Sequence, residues 1–245
     1  MKPLMVDMFC GLGGWAEGGL AEGYDVVGFD IERHVYGEHR YPAQLVIQDV
    51  LTLHGSQFRE AALIVASPPC QEFSYMAMPW SRAKAKAAAI RADATGQKRA
   101  DLMRLFDACF RIQREACEAA GRHIPLVVEN VRGAQEWVGA ARWAHGSFYL
   151  WGDTPALMPQ RLSATKHDGS GCRASGTLQS CNRLVPDGIK CGGDWFNASQ
   201  PSISRLTSSR SPQRKAASAM IAKIPEPLSR HVARTFFPVE LRRAA

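Results

Sequence analysis

No apolar stretch in the 245 residues approaches the roughly 20 that cross a bilayer, so no membrane-spanning helix is expected. The opening residues Met1-Lys2-Pro3-Leu4-Met5-Val6 read as a strand rather than a secretory leader, because Asp7 interrupts them. There is no Gly-Lys-Ser/Thr run, which argues against a phosphate-binding P-loop. The seven cysteines are odd in number and form no small disulfide scaffold. His167, Cys172, Cys181 and Cys191 lack the tight Cys-x-x-Cys pairs of a structural zinc site, so thiols without a metal are expected. A reducing cytoplasm suits that cysteine usage. No internal repeat is present.

What is present is a chain that is 46% hydrophobic, enough for a sizeable core, and its length suits one α/β domain or one large domain with a small appendage. Its net charge of +7 and pI near 9.2 favour a polyanionic partner, nucleic acid first. Strand and helix signals alternate through the first two thirds. Strands are expected at Pro3 to Met8, Tyr24 to Phe29, Leu45 to Ile47, Ala61 to Ala66, Ile124 to Val128 and Phe148 to Trp151. Arg33 to Arg40 reads as helical, and Arg99 to Ala120 as a strongly amphipathic helix stopped by Gly121. This order implies a parallel sheet with right-handed crossovers. From about Met158 to Pro212 the periodicity fades into Gly, Ser, Asn, Asp and Cys, and a helical pattern returns from Gln213 to Phe237 with a break at Pro225 and Pro227. The expected organisation is therefore a main domain of residues 1–157 and 213–245, interrupted by a small irregular region at 158–212.

The chemistry gathers at the strand ends. Cys70 follows the apolar run Leu63-Ile64-Val65-Ala66 within Ser67-Pro68-Pro69-Cys70-Gln71. Two prolines make that turn stiff, and the carboxyl ends of strands in an open α/β sheet are where ligands bind, so Cys70 is a candidate nucleophile. Asp7-Met8-Phe9-Cys10-Gly11-Leu12-Gly13-Gly14 is a glycine-rich turn able to admit a ligand close to the backbone. Asp30 ends the second strand, where a carboxylate can accept from ribose hydroxyls, and Asp49 ends the third, where it can accept from an adenine amino group. These three ends suit an adenosine-containing cofactor. Glu129 follows Leu126-Val127-Val128 without a break, which predicts a buried carboxyl facing the same crevice as Cys70. The segment Gln71 to Lys98, rich in Met, Ala, Arg and Lys, reads as a mobile loop over the site, with a solvated helix as the alternative.

Taken together, the glycine turn, Ser67-Pro68-Pro69-Cys70-Gln71-Glu72-Phe73-Ser74 and Glu129-Asn130-Val131 resemble the cofactor, Pro-Cys and Glu-Asn-Val motifs of the cytosine-C5 DNA methyltransferases, in that family's order. The resemblance covers about residues 4–155 and, more weakly, 213–237. It implies a Rossmann-like S-adenosylmethionine-dependent methyltransferase fold. It implies that Cys70 adds to C6 of a cytosine flipped out of double-stranded DNA and that Glu129 protonates N3. For S-adenosyl-L-methionine it implies Phe9 against adenine, Gly11 and Gly13 beside the methionine part, Asp30 on the ribose with Ile31 beside the base, Asp49 on the amino group with Val50 next to it, and Pro69 and Leu102 lining the pocket. Glu32 is a second candidate for the ribose. Arg82, Lys84, Lys86, Arg91, Lys98 and Arg99 would meet phosphates.

The chain departs from the family in three places. The usual Gln-x-Arg-x-Arg before the strand at Phe148 reads Arg142-Trp143-Ala144-His145-Gly146-Ser147, leaving His145 or Arg142 to contact the substrate. The usual Gly-Asn-x-Val-Pro reads Ile221-Ala222-Lys223-Ile224-Pro225. The recognition region 158–212 is small, which suggests a short target or a need for a partner; a monomer is otherwise expected. The size suits a phage or bacterial protein of a restriction-modification kind. Rival readings are a related enzyme acting on tRNA cytosine and a non-catalytic DNA-binding partner. An unrelated cysteine hydrolase explains neither Asp30 nor Asp49.

Overall fold

The computed structural model describes residues 2–73, 80–145, 147–158 and 211–242. Its centre is a seven-stranded sheet built from β1 (Leu4–Met8), β2 (Asp25–Asp30), β5 (Gln44–Ile47), β6 (Ala61–Ala66), β7 (Leu126–Asn130), β8 (Trp143–His145) and β9 (Phe148–Gly152), in the spatial order β5-β2-β1-β6-β7-β9-β8. The first five of these are mutually parallel, while β9 runs antiparallel between β7 and β8. The chain starts in the middle of the sheet and winds outward both ways, so a topological switch lies beside β1, with β2 on one side and β6 on the other. This is the Rossmann-like methyltransferase architecture expected from the sequence.

The strands are continuous apolar runs because both faces are covered. Alternate residues go to opposite layers: Val6, Met8, Ile64, Ala66, Leu126 and Val128 to one core, Met5, Leu63, Val65 and Val127 to the other. The first core is closed by α3 (Gln97–Ala120), which inserts Phe106, Cys109, Ile112 and Ala116. Gly121 ends that helix in the left-handed conformation (φ 64°), as its position predicted. The second core is closed by α1 (Gly14–Ala21) and by α6 (Glu226–Thr235), which brings Leu228, Val232 and Ala233. The helical pattern read over Gln213 to Phe237 is present as α5 (Pro212–Ala222) and α6, broken before Glu226. Val239–Arg242 forms a last short turn, α7.

Two expectations need correction. Arg33 to Arg40 is not helical: Val35–Tyr36 (β3) and His39–Arg40 (β4) pair as a tight antiparallel hairpin. Gly37 takes a left-handed turn conformation (φ 63°) between them, which reverses the chain where a helix would have continued. The described part of the segment after Cys70 is not a loop. Trp80–Arg91 forms α2, and Ala83, Ala87 and Ile90 bury one face of it in helical spacing. Alanines carry too little apolar contrast to show that face in the sequence. Residues 74–79 lie outside the described residues, as does nearly all of the recognition region 158–212, including His167, Cys172, Cys181 and Cys191.

Candidate active site

Four parallel strand ends lie in one row, and the backbone ladder continues past each. The Cys10 amide donates to Phe29 O (3.2 Å), Ser67 to Met8 O (3.1 Å) and Gln48 to Asp30 O (2.8 Å). The glycine turn, Asp30, Asp49 and the cysteine turn are thereby set along one edge of the sheet.

At the glycine turn, Phe9 adopts φ 57°, a strained value for a residue with a side chain, and Gly11 follows at φ 50°. Nothing lies within 4 Å of the place a Gly11 Cβ would occupy, so the backbone there is open to a ligand. Gly13 (φ 78°) caps α1, and a Cβ on it would meet Pro42 and Tyr41. The Gly11 amide donates to Asp30 Oδ2 (3.0 Å). Burial pushes the Asp30 carboxyl up, but the His34 ring and the amides of Gly11 and Glu32 outweigh it and hold the group below the ordinary carboxylate range.

Ile31 is 70% exposed and Ile47 49% exposed, two large apolar side chains at the neighbouring ends of β2 and β5. Side chains of this kind offer a face to a base. Ile47 carried no motif signal and was missed in the sequence; its register opposite Asp30 is what marks it. Asp49 caps the short turn Val50–Thr52, its carboxylate accepting from the Leu51 amide (2.9 Å). Val50 is buried in the core beneath. Phe9 and Leu102 are half-buried against that same core, and Pro69 is exposed. An open glycine backbone, an acid beside it and exposed aliphatic side chains fit an adenosyl cofactor.

Asp7 lies below this edge, fully buried, and was not singled out by the sequence. Tyr41 reaches it across Gly28, where any Cβ would collide with the ring, and donates its hydroxyl to Asp7 Oδ2 (3.3 Å). Burial holds the Asp7 carboxyl well above its usual range despite that bond.

On the other side of β1 stand Cys70 and Glu129. Cys70 is half-buried, and its carbonyl accepts from the Phe73 amide (3.0 Å), closing a tight turn. The Trp15 indole donates to Ser67 Oγ (3.0 Å), pinning the start of the cysteine turn to α1. Glu129 is 5% exposed, as its place at the end of an unbroken apolar strand predicted. β6 and β7 are adjacent and parallel, with Ala66 opposite Val128, so both turns leave the sheet side by side. Asn130, 1% exposed, joins them: its amide donates to Pro68 O (3.0 Å), and its own carbonyl oxygen accepts from the Val131 amide (2.8 Å). His145 lies on β8 opposite Phe148. Arg142 is exposed, and its amide donates to Leu150 O (2.9 Å).

The fold and these strand ends define a doubly wound α/β protein with a candidate site along the carboxyl edge of its sheet. Residues 4–87 match the family model of the C-5 cytosine-specific DNA methylases, the family whose motifs the sequence resembles. No curated protein matches the chain. Among solved structures, an E. coli prophage protein assigned as a DNA modification methyltransferase aligns at 22% identity over 56% of this chain and 35% of its own, with a TM-score of 0.36. The Entamoeba histolytica methyltransferase EhMeth aligns at 15% identity over 66% of this chain and 56% of its own (TM-score 0.40). The S. pombe Dnmt2 methyltransferase aligns at 15% over 57% and 37% (TM-score 0.34). The chain thus spans between a third and just over half of the length of these structures, and likeness at this level carries no functional argument. Among the described residues, no helix is long and apolar enough to cross a membrane.

Proposed function

We propose that the chain is a DNA cytosine-C5 methyltransferase that uses S-adenosyl-L-methionine. The observation that carries this reading is the Asn130–Pro68 hydrogen bond, which ties the turn bearing Cys70 to the strand end bearing buried Glu129. A thiol and a carboxyl fixed to adjacent strand ends can grip one pyrimidine from two sides.

C5 of cytosine is a poor nucleophile, and the chain's residues change that. The Cys70 thiolate forms a bond to C6 of a cytosine turned out of the duplex. The electrons of the C5–C6 double bond are taken up by the ring as Glu129 gives a proton to N3. C5 is then nucleophilic. S-adenosyl-L-methionine supplies the electrophilic methyl group when bound. The C5 proton then leaves to a base, the sulfur–C6 bond breaks, the C5–C6 double bond re-forms, and N3 returns its proton to Glu129. Gly11 and Gly13 would hold the methionine part of the cofactor, Asp30 or Glu32 the ribose, and Asp49 the adenine amino group. Phe9, Ile31, Val50, Pro69 and Leu102 would border it.

The exposed side of α2 carries Arg82, Lys84 and Arg91, which suits a phosphate backbone, as does the charge of +7. Residues 158–212 would read the target, with His145 or Arg142 beside the substrate. Bisulfite sequencing of DNA from cells expressing the chain tests activity and target together. Cys70→Ala should abolish methyl transfer while leaving cofactor affinity within about twofold. A duplex containing 5-fluorocytosine should become covalently attached to the active protein. Full activity in Cys70→Ala removes the mechanism, and methylation of tRNA with none of DNA changes the substrate.

A further inference from the structure

The edge proposed for the cofactor contains an ionisable ring that no motif supplies. His34 lies just before the hairpin β3–β4, four residues after Asp30, and its ring is set between two carboxylates. Nε2 is 3.6 Å from Asp30 Oδ1, and Nδ1 is 3.5 Å from Glu32 Oε1. The Tyr36 hydroxyl lies 3.5 Å from Nδ1, and the two rings are tilted with centroids 6.2 Å apart. The His34 side chain is 22% exposed, Asp30 13% and Glu32 58%. The two acids that competed for the ribose in the sequence are therefore not alternatives. One imidazole connects them.

Asp30 is the short and buried member. Its Oδ2 is taken by the Gly11 amide, while its Oδ1 accepts from the Glu32 amide (3.3 Å) and faces His34. Glu32 is the long and exposed member and can extend toward a ligand. Two carboxylates this close repel each other unless a cation lies between them. The charged and titratable groups around the ring are Asp30, Glu32, Tyr36 and, from α5, Lys215. The acids win: the interaction with Asp30, then the field of Glu32, raise the His34 pKa against burial and Lys215.

We propose that His34 is a positioning residue of the cofactor site, an imidazolium that holds Asp30 and Glu32 ionised and aimed so that both accept from the two hydroxyls of an adenosyl ribose. The inference rests on the cofactor reading above. It makes cofactor affinity depend on pH through a residue that does not touch the reacting atoms. Affinity is highest where His34 is charged and falls as pH rises through its raised pKa, because neutral imidazole no longer offsets the second carboxylate.

The test is calorimetric titration of the full chain with S-adenosylmethionine between pH 5.5 and 8.5, for the native protein, His34→Gln and His34→Ala, with the ring resonance of His34 followed by NMR with and without cofactor. The native protein should lose about threefold to fivefold in affinity across the range, the scale of one partly exposed ion pair. Both variants should bind at the native high-pH level with no slope, and their melting temperatures should equal the native value at pH 8.5. Cofactor should raise the His34 pKa further. Native binding with the same slope in His34→Gln and His34→Ala overturns the proposal, as does a fall of the His34 pKa on binding, which would mean that the ribose displaces the ring. Native protein that binds no S-adenosylmethionine at any pH overturns the cofactor reading itself, and this inference with it.

Discussion

Helices α1 and α2 both follow a strand-end turn, and they are attached to the fold in opposite ways. α1 begins at the glycine turn and is covered by α6. Its Gly14 and Gly18 lie so near the C-terminal segment that a Cβ would overlap the backbone of Ile224 or of Ser229 and Arg230. Glu22 accepts from Arg230 Nε (2.9 Å) and from two nitrogens of Arg234, and Glu17 pairs with Lys223. α2 follows the cysteine turn in the chain and, among its described side chains, buries Ala83, Ala87 and Ile90. It is held by Lys86 to Glu72 and by Arg91 to Glu136, pairs with one or both members well exposed. Backbone contact and a bidentate Arg–carboxylate bond fix the first helix. The second depends on small side chains and on cations that phosphates can also claim. The edge proposed to hold the cofactor is thus built as a rigid seat, and the helix that follows the cysteine turn in the chain as a basic surface of modest attachment.

The contrast can be broken most directly by adding volume to each helix. Gly18→Val should cost about 3 kcal/mol in urea unfolding, since it drives a branched side chain into the α6 backbone. Ala88→Val, on the exposed side of α2, should change stability by no more than about 0.5 kcal/mol. Equal losses would show that α2 is seated as firmly as α1. Asn130→Ala removes the bond between the turn bearing Cys70 and the strand end bearing Glu129 and should lower stability by about 2 kcal/mol, with a greater loss in kcat than in KM for the proposed methyl transfer. Lys86→Ala and Arg91→Ala should each lower stability by about 0.5 kcal/mol. Each should also reduce by about one the slope of log affinity for DNA against log salt, measured by fluorescence anisotropy.

The smallest effects are expected in the pH profile of unfolding, where two acids at the α1 side act in opposite senses. Bonds and charge from Arg234 and Arg230 hold the Glu22 carboxyl below its ordinary value. Its contribution is present above the unfolded carboxylate range and is lost as pH falls through the folded value, so Glu22→Gln should flatten the acid limb. Asp7 is held high by burial, so stability declines as pH rises from the unfolded value toward the folded one. Asp7→Asn should remove that decline and gain most at the upper end.

Much of this was legible in the chain. Apolar runs leading into Asp30, the cysteine turn and Glu129 announce buried parallel strands and the ends where a site is expected, because strands covered on both faces need no alternation. The spacing of Phe106, Cys109 and Ile112 predicted α3 for the same reason that its apolar stripe packs. The hairpin at Val35–Arg40 was illegible because four strand residues have no period to read and the turn depends on one glycine. α2 was obscured because its core face is alanine. His34, Tyr41 and Ile47 belong to no motif: each acquires a role only when the hairpin or the register brings it to a strand end. The pairing of Asp30 with Glu32 through His34 could not come from spacing, since it requires the chain to leave β2 and turn back.

The seating of α6 on α1 also has a consequence in time. Glu22 and Arg230 stand 208 positions apart in the chain, so the groove at Gly14 and Gly18 has nothing to fill it until α6 has been made. Contacts of such separation slow folding and leave apolar surface bare on the nascent chain. The glycine turn emerges from the ribosome well before the layer that supports it. Released chains ending before Glu226 should be open to proteases at α1, and chains that include Arg242 should resist them.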